Sequence, residues 1–108
     1  MPNVTFFMPA NAMPAHDHLA ALTERSAELC LALLQAAPRT VHVIHVPVLH
    51  GCGQPAFARI DYRLEPCRTP AVMDRFMAAL DEAITQTTGH TARIRCFGHA
   101  AAALHARN

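Results

Sequence analysis

The chain has 108 residues, of which 52% are hydrophobic and 16% are charged, and its formal net charge is +1. This length fits one domain with one core, and the apolar content excludes a disordered chain. The small net charge provides no electrostatic basis for nucleic-acid binding. The low charged fraction favours a surface that other copies of the chain partly cover.

Several kinds of chemistry are excluded by residue types that are absent or rare. All nine basic residues are Arg, so neither a Schiff-base lysine nor a phosphate-loop lysine is present. Ser26 is the only Ser, and its place within a helical pattern excludes a serine nucleophile on a sharp turn.

Targeting signals are also absent from the sequence. The first basic residue is Arg25, so we expect no signal peptide, and no apolar run is long enough to span a membrane. We interpret the four Cys, which form no CxxC motif, as reduced thiols. The sequence therefore predicts a cytoplasmic protein without a membrane partner.

The first half of the chain predicts a strand, a helix and a second strand. Residues 2–8 are β-branched and aromatic, as is typical of a strand. Apolar residues at helical spacing predict a helix over 15–37, which Pro38 ends. A second strand is predicted over 40–48, where Pro47 indicates a strand end or an edge strand.

The second half predicts the same order of elements. Residues 56–64 alternate, which places Ala56, Ala58, Ile60, Tyr62 and Leu64 on one face and Phe57, Arg59, Asp61 and Arg63 on the other. A helix follows, with Thr69 as N-cap and Pro70 at its first position, and runs to about Thr88 before Gly89. Residues 91–97 predict a fourth strand. The tail over 98–108 is either a short helix or an arm on a neighbouring copy.

Two β-α-β units in one chain predict an α+β fold. We expect a single domain over 1–108 with a pseudo-repeat of 2–48 and 56–97, offset by about 56 residues. Right-handed crossovers would give a four-stranded sheet with two helices on one face. The uncovered face would carry Arg59, Asp61, Arg63, Arg93 and Arg95, which favours oligomer packing around a wet interior.

The start of the chain offers a reactive amine. The sequence begins Met-Pro, and a small second residue normally allows the initiator Met to be removed, which leaves Pro2 as a secondary amine. The pKa of an α-amino group is ordinarily about 8. An apolar pocket and nearby guanidinium groups both lower such a pKa, toward the range where one group serves as base and then as acid. The alternative is that Pro2 follows Met1 by chance.

These features resemble the tautomerase superfamily, which uses an N-terminal proline on a β-α-β unit. The resemblance rests on Pro2-Asn3-Val4-Thr5-Phe6-Phe7, on Val43-Ile44-His45-Val46-Pro47 followed by Gly51-Cys52-Gly53, and on Arg68-Thr69. In layout the chain looks like the macrophage migration inhibitory factor and 5-carboxymethyl-2-hydroxymuconate isomerase branches. The resemblance implies a homotrimer with sites between subunits, and cofactor-independent keto–enol tautomerisation of a small carboxylate.

The resemblance also implies roles for particular residues. Pro2 matches the catalytic position, and Arg68 matches an arginine that grips a substrate carboxylate, a task that suits its planar fork. Arg93 and Arg95 stand where the inhibitory-factor branch has a Tyr and an Asn that face a neighbour's site. Leu64 stands where that branch offers a backbone N–H to the substrate. The alternatives are that Arg68 is an exposed residue near a helix start, and that Arg93 and Arg95 lie on a solvated strand face.

The eight histidines do not predict a metal site. His42 and His45 are three apart on a strand and point to opposite faces, and His16 and His18 do not share a helix face. Several functions remain open besides the isomerase. They are a superfamily decarboxylase or hydratase with a protonated proline, a non-catalytic binding or structural member, and an unrelated ligand-binding module in which Pro2 is incidental.

Overall fold

Four strands and two helices form the fold. The computed structural model describes residues 1–108. Its elements are β1 (Asn3–Pro9), α1 (His16–Ala32), β2 (His42–Val48), β3 (Ala56–Arg63), α2 (Pro70–Thr88) and β4 (Ala92–His99), with 3₁₀ turns at Ala10–Ala12, Pro38–Thr40 and Ala101–Ala103. The predicted α+β class and the repeated β-α-β order are confirmed.

The four strands form one mixed sheet in the order β2-β1-β3-β4. β1 runs parallel to β2, and β3 runs parallel to β4, while the central strands β1 and β3 are antiparallel. Val4 of β1 pairs with Ile60 of β3, so the two halves meet at positions separated by the offset of the predicted repeat. β2 is an edge strand, as Pro47 indicated.

Both helices pack on the same face of the sheet. The core contains alternate residues of the central strands, together with one stripe of each helix; its members include Val4, Phe6, Met8, Ala58, Ile60, Leu22, Cys30, Phe76, Leu80 and Ile84, all nearly inaccessible to solvent. The predicted alternation of β3 is confirmed over Ala56–Tyr62, and α2 buries Met73, Phe76, Leu80, Ala83 and Ile84 along one side. Burial of each large side chain contributes about 1.5–3 kcal/mol.

The ends of α2 follow the predicted capping signals. The Thr69 side chain accepts a hydrogen bond from the Val72 N–H at 3.3 Å, and Pro70 is the first helical residue. Gly89 ends the helix with φ at 74°, a left-handed conformation that glycine adopts without steric cost. These signals hold the loop before α2 in place.

The prediction for the end of α1 was wrong. It ends at Ala32 rather than at residue 37, well before Pro38. Gln35 takes a positive φ of 52°, and the Ala36 N–H turns back to the carbonyl of Cys30 at 3.1 Å. The chain therefore leaves the helix through a left-handed residue, and residues 33–41 form a longer connection to β2 than expected.

Smaller corrections concern strand ends. β1 begins at Asn3, β2 begins at His42, and β4 continues to His99. Because β3 ends at Arg63, Leu64 leaves the buried face and its exposed fraction is 51%. The 3₁₀ turn at Ala101–Ala103 is the one short helical segment of the predicted tail.

The face of the sheet opposite the helices is uncovered in the single chain. Asp61 accepts from Arg59 Nε at 2.9 Å and lies 2.8 Å from His99 Nε2, while the Arg59 guanidinium stacks 4.6 Å from the centroid of the Phe97 ring. The hydrogen bond from Arg59 holds the pKa of Asp61 below its ordinary value, although partial burial opposes this. Ile44, Phe57 and Phe97 add exposed apolar area. The face therefore has exposed apolar area in addition to the charged residues that the sequence predicted.

Candidate active site

The start of β1 fixes the position of Pro2. The Pro2 side chain is fully buried on the helix side of the sheet. Its carbonyl accepts a hydrogen bond from the His42 N–H at 3.0 Å, which extends the β1–β2 ladder to the chain start. Backbone pairing and burial therefore hold this residue rigidly, so little positioning entropy remains to be lost there.

A cavity of about 370 Å³ opens beside Met1. The connection between α1 and β2 forms one wall, and the loop between β3 and α2 forms the other. Its lining residues are Met1, Gln35, Ala37, Thr40, Arg63, Glu65, Cys67 and Arg68. A second cavity of about 620 Å³ shares Met1 and Thr40 with the first and is bordered by Arg39, His42 and the tail. The chain start thus lies between two openings.

Arg68 connects the two walls of the smaller cavity through hydrogen bonds. Its Nε donates to the carbonyl of Leu34 at 2.9 Å, and its Nη1 donates to the carbonyl of Arg63 at 2.7 Å. A guanidinium has five N–H donors, so three remain for other partners. The structure therefore places Arg68 in the same cavity as the chain start, in a fixed orientation.

The electrostatic environment favours a neutral amine. Partial burial lowers the pKa of the Met1 amino group below its ordinary value, and the charges of Arg63 and Arg68 lower it further. Both effects oppose the ammonium form. A neutral amine in this place can accept a proton, and its conjugate acid can return one.

Arg63 also lines this cavity, although it was not among the predicted site residues. It is the last residue of β3, and the antiparallel pairing of β3 with β1 brings that end to the chain start. The register of the two strands determines which β3 residue lies beside the chain start. The alternation of β3 does not determine this, because Arg59 and Arg63 lie on the same face of the strand.

Three predicted site residues do not join this cavity. The Leu64 N–H donates to the His99 carbonyl at 2.9 Å, so it is engaged within the chain and is not free for a substrate. Arg93 and Arg95 align through β3 with Phe7 and Thr5 of β1. From the strand spacings, they lie about 19 Å and about 14 Å from Pro2 of the same chain.

His42 and His45 lie on opposite faces of the sheet, as predicted. His42 lies on the uncovered face, whereas His45 faces α1, where its Nε2 lies 2.7 Å from Thr23 Oγ1. No group of three or more His, Cys, Asp or Glu side chains is arranged to hold a metal ion. Neither helix combines the length and apolar character needed to cross a membrane.

Solved structures share this fold over nearly the whole chain. Native fused 4-OT superposes with a TM-score of 0.83 at 16% identity, covering 97% of this chain and 92% of that chain. Pt0534 inactivated by 2-oxo-3-pentynoate gives 0.81 at 21% identity, covering 95% and 90%. Macrophage migration inhibitory factor of Toxoplasma gondii gives 0.75 at 15% identity, covering 92% and 90%. The chain therefore shares the fold of these proteins.

The predicted resemblance is therefore confirmed at the level of the fold. Other structures of wild-type fused 4-OT are trimers, both asymmetric and symmetric. No protein-family model matches the sequence, and no curated protein matches it.

Proposed function

We propose that this protein is a cofactor-independent, tautomerase-like isomerase in which removal of Met1 exposes the Pro2 amine as general base and acid. The substrate is a small carboxylate that undergoes a keto–enol or double-bond proton transfer. One observation carries the proposal: Met1, the residue before Pro2, lines a cavity that Arg63 and Arg68 also line, and the charges of both arginines lower the pKa of the amine at the chain start.

The proposed reaction moves one proton and needs no external group. The neutral Pro2 nitrogen takes a proton from the carbon next to the substrate carbonyl, and the electron pair moves onto the carbonyl oxygen. The resulting ammonium returns the proton to a different atom of the same substrate, which completes the isomerisation. Positive groups already in place stabilise the negative charge that develops on oxygen.

Arg68 is the proposed carboxylate-binding residue. Its two bonds to backbone carbonyls fix the guanidinium plane before a substrate arrives. A fixed fork matches the two oxygens of a carboxylate and loses little entropy on binding. Arg63 adds a second positive charge beside the amine.

A homotrimer is the assembly that we propose. The uncovered sheet face combines exposed apolar side chains with the Arg59–Asp61–His99 network, a composition suited to contact with other copies. The fused 4-OT trimers support the same arrangement. A native mass of three chains is the expected result. We also infer a cytoplasmic location, since all four cysteines are free.

Glu65 favours a second candidate reaction in the same cavity. It is the only carboxylate among the lining residues. With Pro2 protonated, Glu65 would accept a proton from water as the water oxygen bonds to one carbon of the double bond of an unsaturated acid, while the ammonium gives its proton to the other carbon. That reaction is a hydration, and its product contains one more water than the substrate. Product mass therefore separates it from isomerisation.

The test compares two forms of the chain start. Intact mass establishes whether Met1 is removed, and phenylpyruvate tautomerisation is then measured for the processed protein and for a form with one residue left before Pro2. Proton-transfer catalysis contributes about 10²–10⁴-fold, and we expect a loss of that size when the amine is blocked. Pro14→Ala, which leaves the chain start unchanged, is the control. Equal rates for the blocked and processed forms would refute the proposal and favour a non-catalytic member of this fold.

A further inference from the structure

Gln35 lines the cavity beside Met1 in a backbone conformation that its residue type rarely adopts. Its φ of 52° lies in the left-handed region, which glycine occupies without steric cost and other residues occupy infrequently. Arg63 and Arg68 line the same cavity. Residues held in uncommon conformations cluster at functional sites, where the surrounding structure fixes them. The conformation therefore directs attention to the chemistry of the Gln35 side chain.

Hydrogen bonds on both sides of Gln35 hold its conformation. Before it, the Leu34 carbonyl accepts from Arg68 Nε at 2.9 Å. After it, the Ala36 N–H donates to the Cys30 carbonyl at 3.1 Å. Leu34 and Ala36 are both buried, whereas Gln35 is exposed. The two neighbours are thus anchored, and the backbone of Gln35 is fixed on the cavity wall.

The Gln35 amide is the neutral hydrogen-bond donor of this cavity. Three lining residues have a neutral amide, hydroxyl or thiol, and they are Gln35, Thr40 and Cys67. The Thr40 hydroxyl already donates its one proton to the Ala37 carbonyl at 2.7 Å, and a thiol is a weak donor. The Gln35 side chain makes no hydrogen bond within the chain, so both N–H bonds of its amide remain available.

We propose that Gln35 is a catalytic residue whose side-chain amide donates a hydrogen bond to the substrate oxygen that becomes an enolate. This inference rests on the proposed isomerase function. As the Pro2 nitrogen takes the proton from carbon, the electron pair moves onto the carbonyl oxygen, and the amide bonds to that oxygen while it keeps its own protons. A donor already in place stabilises this charge as it develops, so it favours the transition state over the bound substrate.

A neutral donor and a cation have different effects on the amine. Arg63 and Arg68 both lower the pKa of the amine at the chain start, so replacing either one would change the charge stabilisation and the pH dependence together. The Gln35 amide has no charge, and its loss leaves the pKa of the amine unchanged. The pH dependence of the reaction therefore separates a neutral donor from a charged one.

The central variant is Gln35→Gly, measured in the processed protein with phenylpyruvate. Glycine takes a φ of 52° without steric cost, so the urea midpoint should be retained or raised. The kcat should fall by about 10²–10³-fold, the loss typical of one oxyanion donor, while KM changes less and the pH profile does not shift. Gln86→Ala, which removes an exposed amide from α2, is the matched control and should retain full activity.

Two further variants test the donor itself. Gln35→Glu keeps the length of the side chain but replaces both donors with a negative charge. This charge favours the ammonium form of Pro2, so kcat should fall and the acidic limb of the pH profile should move to higher pH. Gln35→Asn keeps the amide in a residue type that tolerates the left-handed conformation, but places it one carbon nearer the backbone. A kcat between those of the unmodified protein and Gln35→Gly is expected.

Binding of oxalate, measured by calorimetry, tests the amide without turnover, because the second carboxylate of oxalate stands in for the enolate oxygen. Gln35→Gly should weaken oxalate binding by about tenfold to a hundredfold and leave acetate binding unchanged. An unchanged kcat together with an unchanged oxalate affinity would overturn the inference and leave the proposed function standing. Equal rates for the blocked and processed chain start would instead remove the proposed function, and with it the catalytic role. A loss of oxalate affinity in Gln35→Gly would then still identify Gln35 as an oxyanion-binding residue.

Discussion

Arg68→Ala is expected to lower the free energy of unfolding substantially. The substitution removes two charge-assisted hydrogen bonds, to the carbonyls of Leu34 and Arg63. Since one of these bonds is solvent-exposed, about 1.5 kcal/mol for each is appropriate, or about 3 kcal/mol in total. A domain of this size is stable by about 5–15 kcal/mol, so the loss would be a large fraction of the whole.

Urea unfolding followed by circular dichroism measures this loss. With a typical slope of about 1–3 kcal/mol per molar urea, the midpoint should fall by at least about 1 M. Arg68→Lys keeps the charge, but its donors are on one nitrogen and cannot reproduce the bonds from both Nε and Nη1, so an intermediate midpoint is expected. Arg75→Ala on the surface of α2 is the control for removal of an exposed arginine. An Arg68→Ala midpoint equal to that of the control would show that Arg68 does not clamp the cavity walls.

The same variant separates stability from substrate binding. Activity is measured without urea, at a temperature where Arg68→Ala is fully folded. The KM for the carboxylate substrate is expected to rise by at least about tenfold, because a charge-assisted contact is lost. An unchanged KM beside a lowered midpoint would leave Arg68 as a purely structural residue.

Three further predictions concern other parts of the chain. Thr69→Ala should cost about 1 kcal/mol because it removes the N-cap of α2; Thr85→Ala within the helix is the comparison, and an equal cost for both would contradict the capping role. Burial lowers the pKa of His45 in the folded state, so the unfolded chain binds its proton first and stability should fall as pH drops below the ordinary histidine range; His45→Gln should flatten that pH dependence of the urea midpoint, and an identical slope would exclude His45 as its cause. Burial raises the pKa of the Cys30 thiol to about 12, whereas Cys52 is exposed, so alkylation at pH 8 should label Cys52 long before Cys30; equal labelling rates, measured by peptide mass, would contradict the packing around α1.

The fold was predictable because its main signals are local. Alternation in β3 and the stripe of α2 depend only on the periodicities of strands and helices, and Thr69 and Gly89 are strong capping signals. The end of α1 was not predictable in the same way. Gln35 adopts a left-handed conformation that is usually found at glycine or asparagine. The residue type at this position therefore does not indicate that α1 has ended.

The candidate site was predictable only in part, because it depends on register and on loop paths. Pro2 and Arg68 were selected from the resemblance; Arg68 lines a cavity together with Met1, whereas Pro2, the next residue, is buried. Arg63 required the pairing of β3 with β1, which alternation alone does not supply. The engagement of the Leu64 N–H depends on how far β4 extends, and the strand ends at His99 rather than at residue 97 as predicted.

The repeated architecture explains why one chain would have one isomerase site. The repeat offset relates Pro2 to Ala58, but Ala58 lies inside β3, where its nitrogen belongs to a peptide bond and cannot act as a base. The same offset relates Arg68 to Ala12, so the first half has no equivalent guanidinium. In the proposed site, the first half would therefore supply the amine and the second half the positive charges, and the two ends lie close together because β1 and β3 are antiparallel neighbours. Only one of the two related positions lies at the chain start, where an amine can be freed. The two halves would therefore have different roles in the proposed site.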